Sequence, residues 1–333
     1  MRVAATLIFL VLLVAGVFAF LFHEPYGPQK ETFVEIAPRM GTAGMAAELE
    51  RQGVIRSRWA FEALKVWQTF RGAKSLKAGE YRFDHPVSMT EVYDRIARGD
   101  VYTVGLTIPE GYNIFDIAAA VEAAGLGTKE DFLAAERAHT ELIADWTANL
   151  PEKPASLEGY LFPDTYRFPR KVTPVQILAV MVRRFKAEVL GMGVPLDGNL
   201  PRVVTMASLV EKEVRQDAER PLVAGVFVNR LARGMPLATD PTVIYAALLN
   251  DRWRGTIYAS DLAFDSPYNT YKHAGLPPGP ICNPGVAALK AAIAPAKTEY
   301  LYFVSDAGGH SRFATTLKEH NENVEAYRKT EGR

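Results

Sequence analysis

Cysteine is nearly absent from these 333 residues, with Cys282 standing alone. An internal disulfide and any multi-cysteine metal site are thereby excluded, and a lone thiol is usually a small buried residue. Net charge is absent as well, because 38 Lys and Arg balance 38 Asp and Glu. The electrostatic footprint of a nucleic-acid binder is missing from such a balance. No glycine-rich phosphate loop occurs, nor any H-x-x-x-H or H-E-x-x-H pair for zinc, so neither cofactor nor metal is expected. What the chain does carry is material for a core. It is 48% hydrophobic and 23% charged, long enough for roughly two domains of about 150 residues plus extras.

Val3 to Phe22 has no charged or strongly polar side chain and matches the roughly 20 residues that a helix needs to cross a bilayer core. A cleaved secretory signal usually has a shorter apolar region, of about 7–15 residues, ending at small residues. Here the run continues through Phe18, Phe20, Leu21 and Phe22, past Val17-Phe18-Ala19, so a retained anchor is expected. Arg2 and the amino terminus carry the positive charge on one flank, which places Met1 in the cytoplasm and everything after Glu24 outside it. In a bacterium that space holds the cell wall and almost no free nucleotide. Chemistry dependent on ATP, NAD or DNA is disfavoured there.

The expected organisation is α+β. Residues 1–23 form the cytoplasmic tip and anchor, and the Pro- and Gly-bearing stretch 24–32 is a linker short enough to hold the exported domains near the membrane. Phe33 to Ile36 alternates as a strand, Thr42 caps a helix ending at Gly53, and a second helix runs from Ser57 to Phe70. Gly79 to Phe83 returns as a strand, and Ser88 to Arg98 is a helix closed by Gly99. About seventy residues after the first strand the pattern recurs: Val104 to Ile108, the turn Pro109-Glu110-Gly111, and a helix from Ile114 to Ala124. The β-α-α-β order of residues 33–103 resembles a LysM domain, a fold that grips amino-sugar chains, with a simple packing spacer as the alternative. Residues 104–150 form the second strand-turn-helix segment. The break at Leu150-Pro151-Glu152-Lys153-Pro154 marks the start of a denser, motif-rich mixed α+β domain over 151–333.

Pro201 opens a helix through Val214, with Asn199 as a plausible cap. At about 100° per residue Val203, Met206, Ala207, Val210 and Val214 share one face, which puts Glu211 and Glu213 on opposite shoulders of the apolar stripe. A carboxyl beside apolar surface keeps its proton longer and can act as a donor to a glycosidic oxygen. The structural alternative is a pair of surface glutamates, with Glu211 joined to Arg215 at i+4. Helical geometry does not choose between Glu211 and Glu213. Asp240 before Pro241 suits an N-cap and the first helical position, which makes it a poor nucleophile. Tyr268, Asn269 and Tyr271, with the stretch Gly275 to Ile281, interleave aromatic and amide groups suited to stacking on sugars and binding N-acetyl groups, or to a rigid loop. Asn283-Pro284-Gly285 caps the next helix, and Glu299–Ser305 with Ser311–Thr316 forms a hairpin whose loop holds His310.

Taken together, the ordered segments Leu157-Glu158-Gly159-Tyr160-Leu161-Phe162-Pro163-Asp164-Thr165-Tyr166, Ala207-Ser208-Leu209-Val210-Glu211-Lys212-Glu213, Thr239-Asp240-Pro241-Thr242-Val243, Tyr268-Asn269-Thr270-Tyr271 and Gly275-Leu276-Pro277-Pro278-Gly279 resemble the YceG-like endolytic murein transglycosylases. Leu301-Tyr302-Phe303-Val304 and Glu319-His320-Asn321 continue the likeness. The resemblance implies a membrane-anchored enzyme of the inner membrane, with its catalytic domain in the periplasm, that cuts peptidoglycan strands internally and leaves a 1,6-anhydro-N-acetylmuramic end. It implies Glu211 as the catalytic acid, with Glu158, Tyr160, Ser208, Glu213, Thr239, Asp240, Thr242, Tyr268, Asn269 and Tyr271 as candidate substrate contacts. Peptidoglycan synthases, the penicillin-binding proteins, are the implied partners. Ala238 stands where relatives often have glutamine, which removes one possible hydrogen bond to substrate. Two competing readings are a muramidase that uses water, with Glu158 or Asp240 as a second carboxylate, and a non-catalytic wall-binding scaffold.

Overall fold

The computed structural model describes residues 2–72, 75–147, 153–305 and 310–330. They fold into two compact units, 1–104 and 105–333. The expected boundary at 150/151 falls outside the described residues, and the division by compactness comes after Val104 instead.

In the first unit the apolar run forms α1 (Arg2–His23), followed by β1 (Thr32–Ile36), α2 (Thr42–Arg51), α3 (Arg58–Phe70), β2 (Gly79–Phe83) and α4 (Met89–Arg98). Strands β1 and β2 pair antiparallel with Val34 opposite Tyr81. Their alternate residues Val34, Ile36, Tyr81 and Phe83 turn inward onto Leu49, Phe61, Leu64, Val92 and Ile96, all essentially dry. Each such side chain contributes about 1.5–3 kcal/mol of burial. Ser57 and Ser88 cap α3 and α4 by accepting from Ala60 and Glu91 N–H groups, and Gly99, at φ 77°, ends α4 in the left-handed conformation open to glycine. Helix α2 is capped by Gly41 rather than Thr42, without a side-chain bond.

The stretch 24–32 is not a free leash. Tyr26 and Val87 exchange backbone hydrogen bonds of 3.0 and 3.1 Å, the Arg56 guanidinium lies over the rings of Phe20 and Tyr26, and Leu21 and Phe22 pack against the core of the unit. The end of α1 is therefore seated on the small domain. Helix α3 buries Ala60, Phe61 and Leu64 while its other face leaves Trp59, Val66, Trp67 and Phe70 in the open.

The second unit takes up β3 (Val104–Thr107), α5 (Ile114–Ala123), α6 (Lys129–Ala138), a 3₁₀ turn (Thr140–Ile143), α7 (Ala144–Thr147), β4 (Thr165–Phe168) and α8 (Pro174–Gly191). It continues with α9 (Leu200–Glu213), α10 (Arg220–Ala232), α11 (Asp240–Leu249), α12 (Ala259–Leu262), α13 (Val286–Ile293), β5 (Tyr302–Ser305), β6 (Ser311–Ala314) and α14 (Leu317–Thr330). The recurring strand-turn-helix is present, with α5 opened by an Asn113–Asp116 capping box. Strand β3 pairs with β4, so this segment belongs to the larger unit. The expected hairpin is β5–β6, antiparallel with Phe303 opposite Phe313.

Helix α9 is the axle of this unit, with α7, α10, α11 and α13 all packed on it. The sequence predicts one apolar stripe, but Val204 through Val210 are all buried, whereas Val203 is only half-buried. A helix enclosed on every side needs no amphipathic period.

Candidate active site

The last turn of α9 carries Glu211 and Glu213 to opposite sides, and each meets its own set of charges. Glu211 Oε2 accepts from Arg220 Nη1 at 2.6 Å and from the Gly285 backbone N–H at 3.0 Å. The two side chains are 5% and 6% exposed. Arg220, at the start of α10, also reaches Asp217 at 3.0 Å. The i+4 partner expected for Glu211, Arg215, is not the one that pairs with it. Nor is its carboxyl simply surrounded by apolar groups, because an arginine and a backbone donor hold one oxygen.

Two further groups close over Glu211, and the sequence marks neither as part of a site. The turn Pro109-Glu110-Gly111, with Gly111 at φ 78°, lies directly on it, so that a Cβ on Gly111 would touch Glu211 Cγ at 3.6 Å and Lys212 Cδ at 3.7 Å. Lys212 Nζ donates to the Gly111 carbonyl at 3.3 Å. The Glu110 carboxyl rests against Gly285, where a Cβ would overlap it. Its pKa is raised by burial, and next by the charge of Glu211.

Asn283 holds these pieces in register. Its Nδ2 donates to the Tyr112 carbonyl at 3.0 Å and to Glu158 Oε1 at 2.7 Å, and its Oδ1 accepts from Leu161 N–H. Its carbonyl accepts from Gly111 N–H at 3.0 Å. It is therefore a clamp between three segments rather than a helix cap. Gly285 is the N-cap of α13, without a side-chain bond.

On the far side of α9, Glu213 is half-buried and its pKa is pushed up to about 7, by burial first and then by the charge of Asp240, against the pull of Arg230. Asp240 is exposed and accepts from Tyr271 Oη at 2.7 Å. It is the first residue of α11, not the cap, which is Thr239. Arg230 spends its donors on the carbonyls of Leu301 and Leu237. Glu213, Asp240 and half-exposed Tyr271 thus form a second polar cluster.

Most of the remaining candidates are buried. Glu158 is 2% exposed, accepts from Ile114 N–H at 2.9 Å as well as from Asn283, and is pushed up to about 8, chiefly by burial. Ser208 Oγ donates to the Thr205 carbonyl and accepts from Ile281 N–H. Thr242 Oγ1 donates to the Thr239 carbonyl, and Thr239 N–H donates to Thr270 Oγ1. Asn269 Nδ2 holds the carbonyls of Leu262 and Phe264, and its Oδ1 takes Tyr271 N–H. Apart from Thr239 Oγ1, which is buried without a hydrogen-bond partner, their polar side-chain groups are engaged by backbone and neighbouring side chains. Tyr160, 2% exposed, and half-buried Tyr268 wall a cavity of about 470 Å³ together with Pro277, Pro278 and Arg202. Neither Glu211 nor Glu213 lines it. Cys282 is buried, and its Sγ donates to the Ser208 carbonyl. Among the described residues no His, Cys, Asp and Glu group is arranged to hold a metal ion.

The site, then, is a carboxylate clasped by arginine and overhung by a second carboxyl, the equipment of an enzyme that moves protons to and from a polar substrate. A family model described as the YceG-like family matches residues 34–326, and the chain belongs to that family. It is 34% identical to the endolytic murein transglycosylase of Bacillus subtilis strain 168, over 95% of this chain and 91% of that one. The endolytic murein transglycosylase of Streptococcus pneumoniae strain R6 is 31% identical over 97% of this chain, which spans 64% of that longer protein. Among solved structures, a YceG-like protein of Listeria monocytogenes aligns with TM-score 0.57 and 32% identity, over 89% of this chain and all of that one.

Proposed function

We propose that this chain is an endolytic murein transglycosylase, a lyase that cleaves peptidoglycan glycan strands and closes a 1,6-anhydro ring on the muramic sugar. Membership of the YceG-like family and the name of the Bacillus relative support this class. The observation that carries the assignment to Glu211 is its clasp by Arg220 and Gly285. One carboxyl suffices, since the muramic sugar supplies its own nucleophile. The carboxyl of Glu211 gives its proton to the leaving glycosidic oxygen as the bond from the anomeric carbon breaks. The carboxylate then takes the proton of the C6 hydroxyl as that oxygen bonds to the anomeric carbon. Intramolecular attack of this kind reaches effective molarities on the order of 10⁵ M or more, so excluded water does not compete. Arg220 fixes the direction of the carboxyl, and Glu110 is a positioning residue above it. Glu213, Asp240, Tyr268 and Tyr271 are the polar and aromatic groups left to meet the glycan.

The anchor is α1, whose stretch Ala5–His23 is long and apolar enough to span a bilayer. We read it as a single pass through the cytoplasmic membrane with the remainder in the periplasm, beside the synthases that extend the strands. The β1-α2-α3-β2 order of the first unit supports a LysM-like role in gripping glycan.

A second reading makes Glu213 the acid, because its pKa of about 7 suits a donor at neutral pH. Digestion of purified glycan strands by Glu211→Gln and Glu213→Gln, with mass analysis of the products, separates these assignments. The proposal expects products one water lighter than reducing ends from the parent and from Glu213→Gln, and none from Glu211→Gln. Unchanged turnover by Glu211→Gln overturns it.

A further inference from the structure

Helix α3 carries two apolar faces side by side, with Arg58, Glu62, Lys65 and Thr69 forming the polar remainder of its circumference. One is the core face. The other presents Trp59, Val66, Trp67 and Phe70, which are 67%, 57%, 59% and 86% exposed. At 100° per residue these four side chains fall within a stripe of about 100°. A contiguous patch with two indoles and a phenyl ring does nothing for the folding of the unit and marks a surface that meets something apolar. Arg58 and Lys65 flank the stripe on one side and Arg71 on the other, while the one acidic residue of the helix, Glu62, sits at its edge.

The position of this stripe says what it meets. Helix α3 packs against α1. Leu21 and Phe22, at the end of α1, pack on the same core that receives Phe61 and Leu64, and Arg56, just ahead of α3, bridges the rings of Phe20 and Tyr26. The stripe is thus on a helix that packs against α1, whose apolar stretch is itself left open. Indoles concentrate at the headgroup level of membranes, and a basic-flanked apolar helix lies in that layer with its apolar face down.

We propose that Trp59, Val66, Trp67 and Phe70 rest in the interfacial layer of the bilayer that α1 crosses, with Arg58, Lys65 and Arg71 reaching anionic phospholipid headgroups. This rests on α1 being a membrane anchor. The first unit is then held by two attachments, a spanning helix and a helix lying in the plane, and cannot swivel about the end of α1.

The test uses the full chain in nanodiscs of phosphatidylcholine and phosphatidylglycerol carrying bromine on the upper acyl carbons, compared with unbrominated discs. Tryptophan emission of the parent is compared with that of the Trp59→Phe/Trp67→Phe variant, which leaves Trp146 and Trp253 as the common background. The expected result is that bromine quenches the Trp59 and Trp67 emission, and that most of the quenching is lost in the variant. Incorporation into the discs with equal quenching of parent and variant overturns the proposal while leaving the anchor intact. Failure to enter the discs overturns both. Quenching seen only when two copies share a disc assigns the stripe to a second copy and overturns the lipid reading.

Discussion

Arg220 and Glu211 are nine residues apart in the chain and 2.6 Å apart in space, and neither side chain has more than a sliver of surface in water. Removing one partner of such a buried pair strands the other, at a typical cost of about 3–5 kcal/mol. Arg220→Met is therefore expected to lower stability by roughly that amount in chemical denaturation and to abolish turnover. Arg220→Lys keeps the charge but loses the fork that reaches both Glu211 and Asp217, and should recover stability better than it recovers turnover.

Gly285 offers a more selective cut. A methyl group there overlaps the end of the Glu110 side chain, which can swing into solvent, so the fold should survive. Gly285→Ala is expected to lower kcat with little change in melting temperature, as is Glu110→Ala. Because both act by removing the same carboxyl from above Glu211, the double variant should be no slower than either single one. An additive loss would separate Glu110 from the role given to it.

Glu158 sets a pH dependence of stability. Its folded pKa of about 8 stands above the ordinary 4.5, so between those values the folded chain keeps a proton that the unfolded chain releases. Stability therefore falls as pH rises through that window. Denaturation midpoints measured from pH 5 to 8 should decline, and the decline should flatten in Glu158→Gln. That variant should also be weaker by about 1–3 kcal/mol at acid pH, because its NH₂ group faces a donor, either Ile114 N–H or Asn283 Nδ2.

Across α9, the charge of Asp240 helps to raise Glu213. Neutralising a nearby negative charge favours the ionised carboxylate. Asp240→Asn is expected to lower the Glu213 pKa from about 7, measured by carbon NMR titration of its side-chain carboxyl. No downward movement would remove Asp240 as a cause.

Much of the fold is legible in the sequence because its signals are local. Ser57, Ser88 and Gly99 punctuate helices by short-range hydrogen bonding and backbone conformation, and β2 comes from alternation over five residues. The opposite placement of Glu211 and Glu213 is a product of helical pitch alone. Their surroundings are not. Glu110, Arg220 and Gly285 come from three separated stretches, and only tertiary bonds such as Asn283 to Tyr112 and Lys212 to Gly111 bring them together. The P-E-G turn is visible as a repeat, but nothing in its spacing says that it folds over α9. Glu158 and Asn283 look polar and available in the sequence, yet they bind each other in the dry interior. The docking of residues 24–32 is invisible for a related reason, since composition reports a flexible peptide while the Tyr26–Val87 pairing depends on a residue sixty positions away.

The burial of Cys282 against the Ser208 carbonyl has a bearing on how the protein matures. Its thiol is held well above the ordinary thiol range by burial, so the reactive thiolate is scarce and an attacking oxidant has no approach. Once folded, the chain is inert to thiol–disulfide exchange. Copies can become covalently crosslinked only while they are still unfolded, and rapid folding after synthesis is itself the protection against that fate.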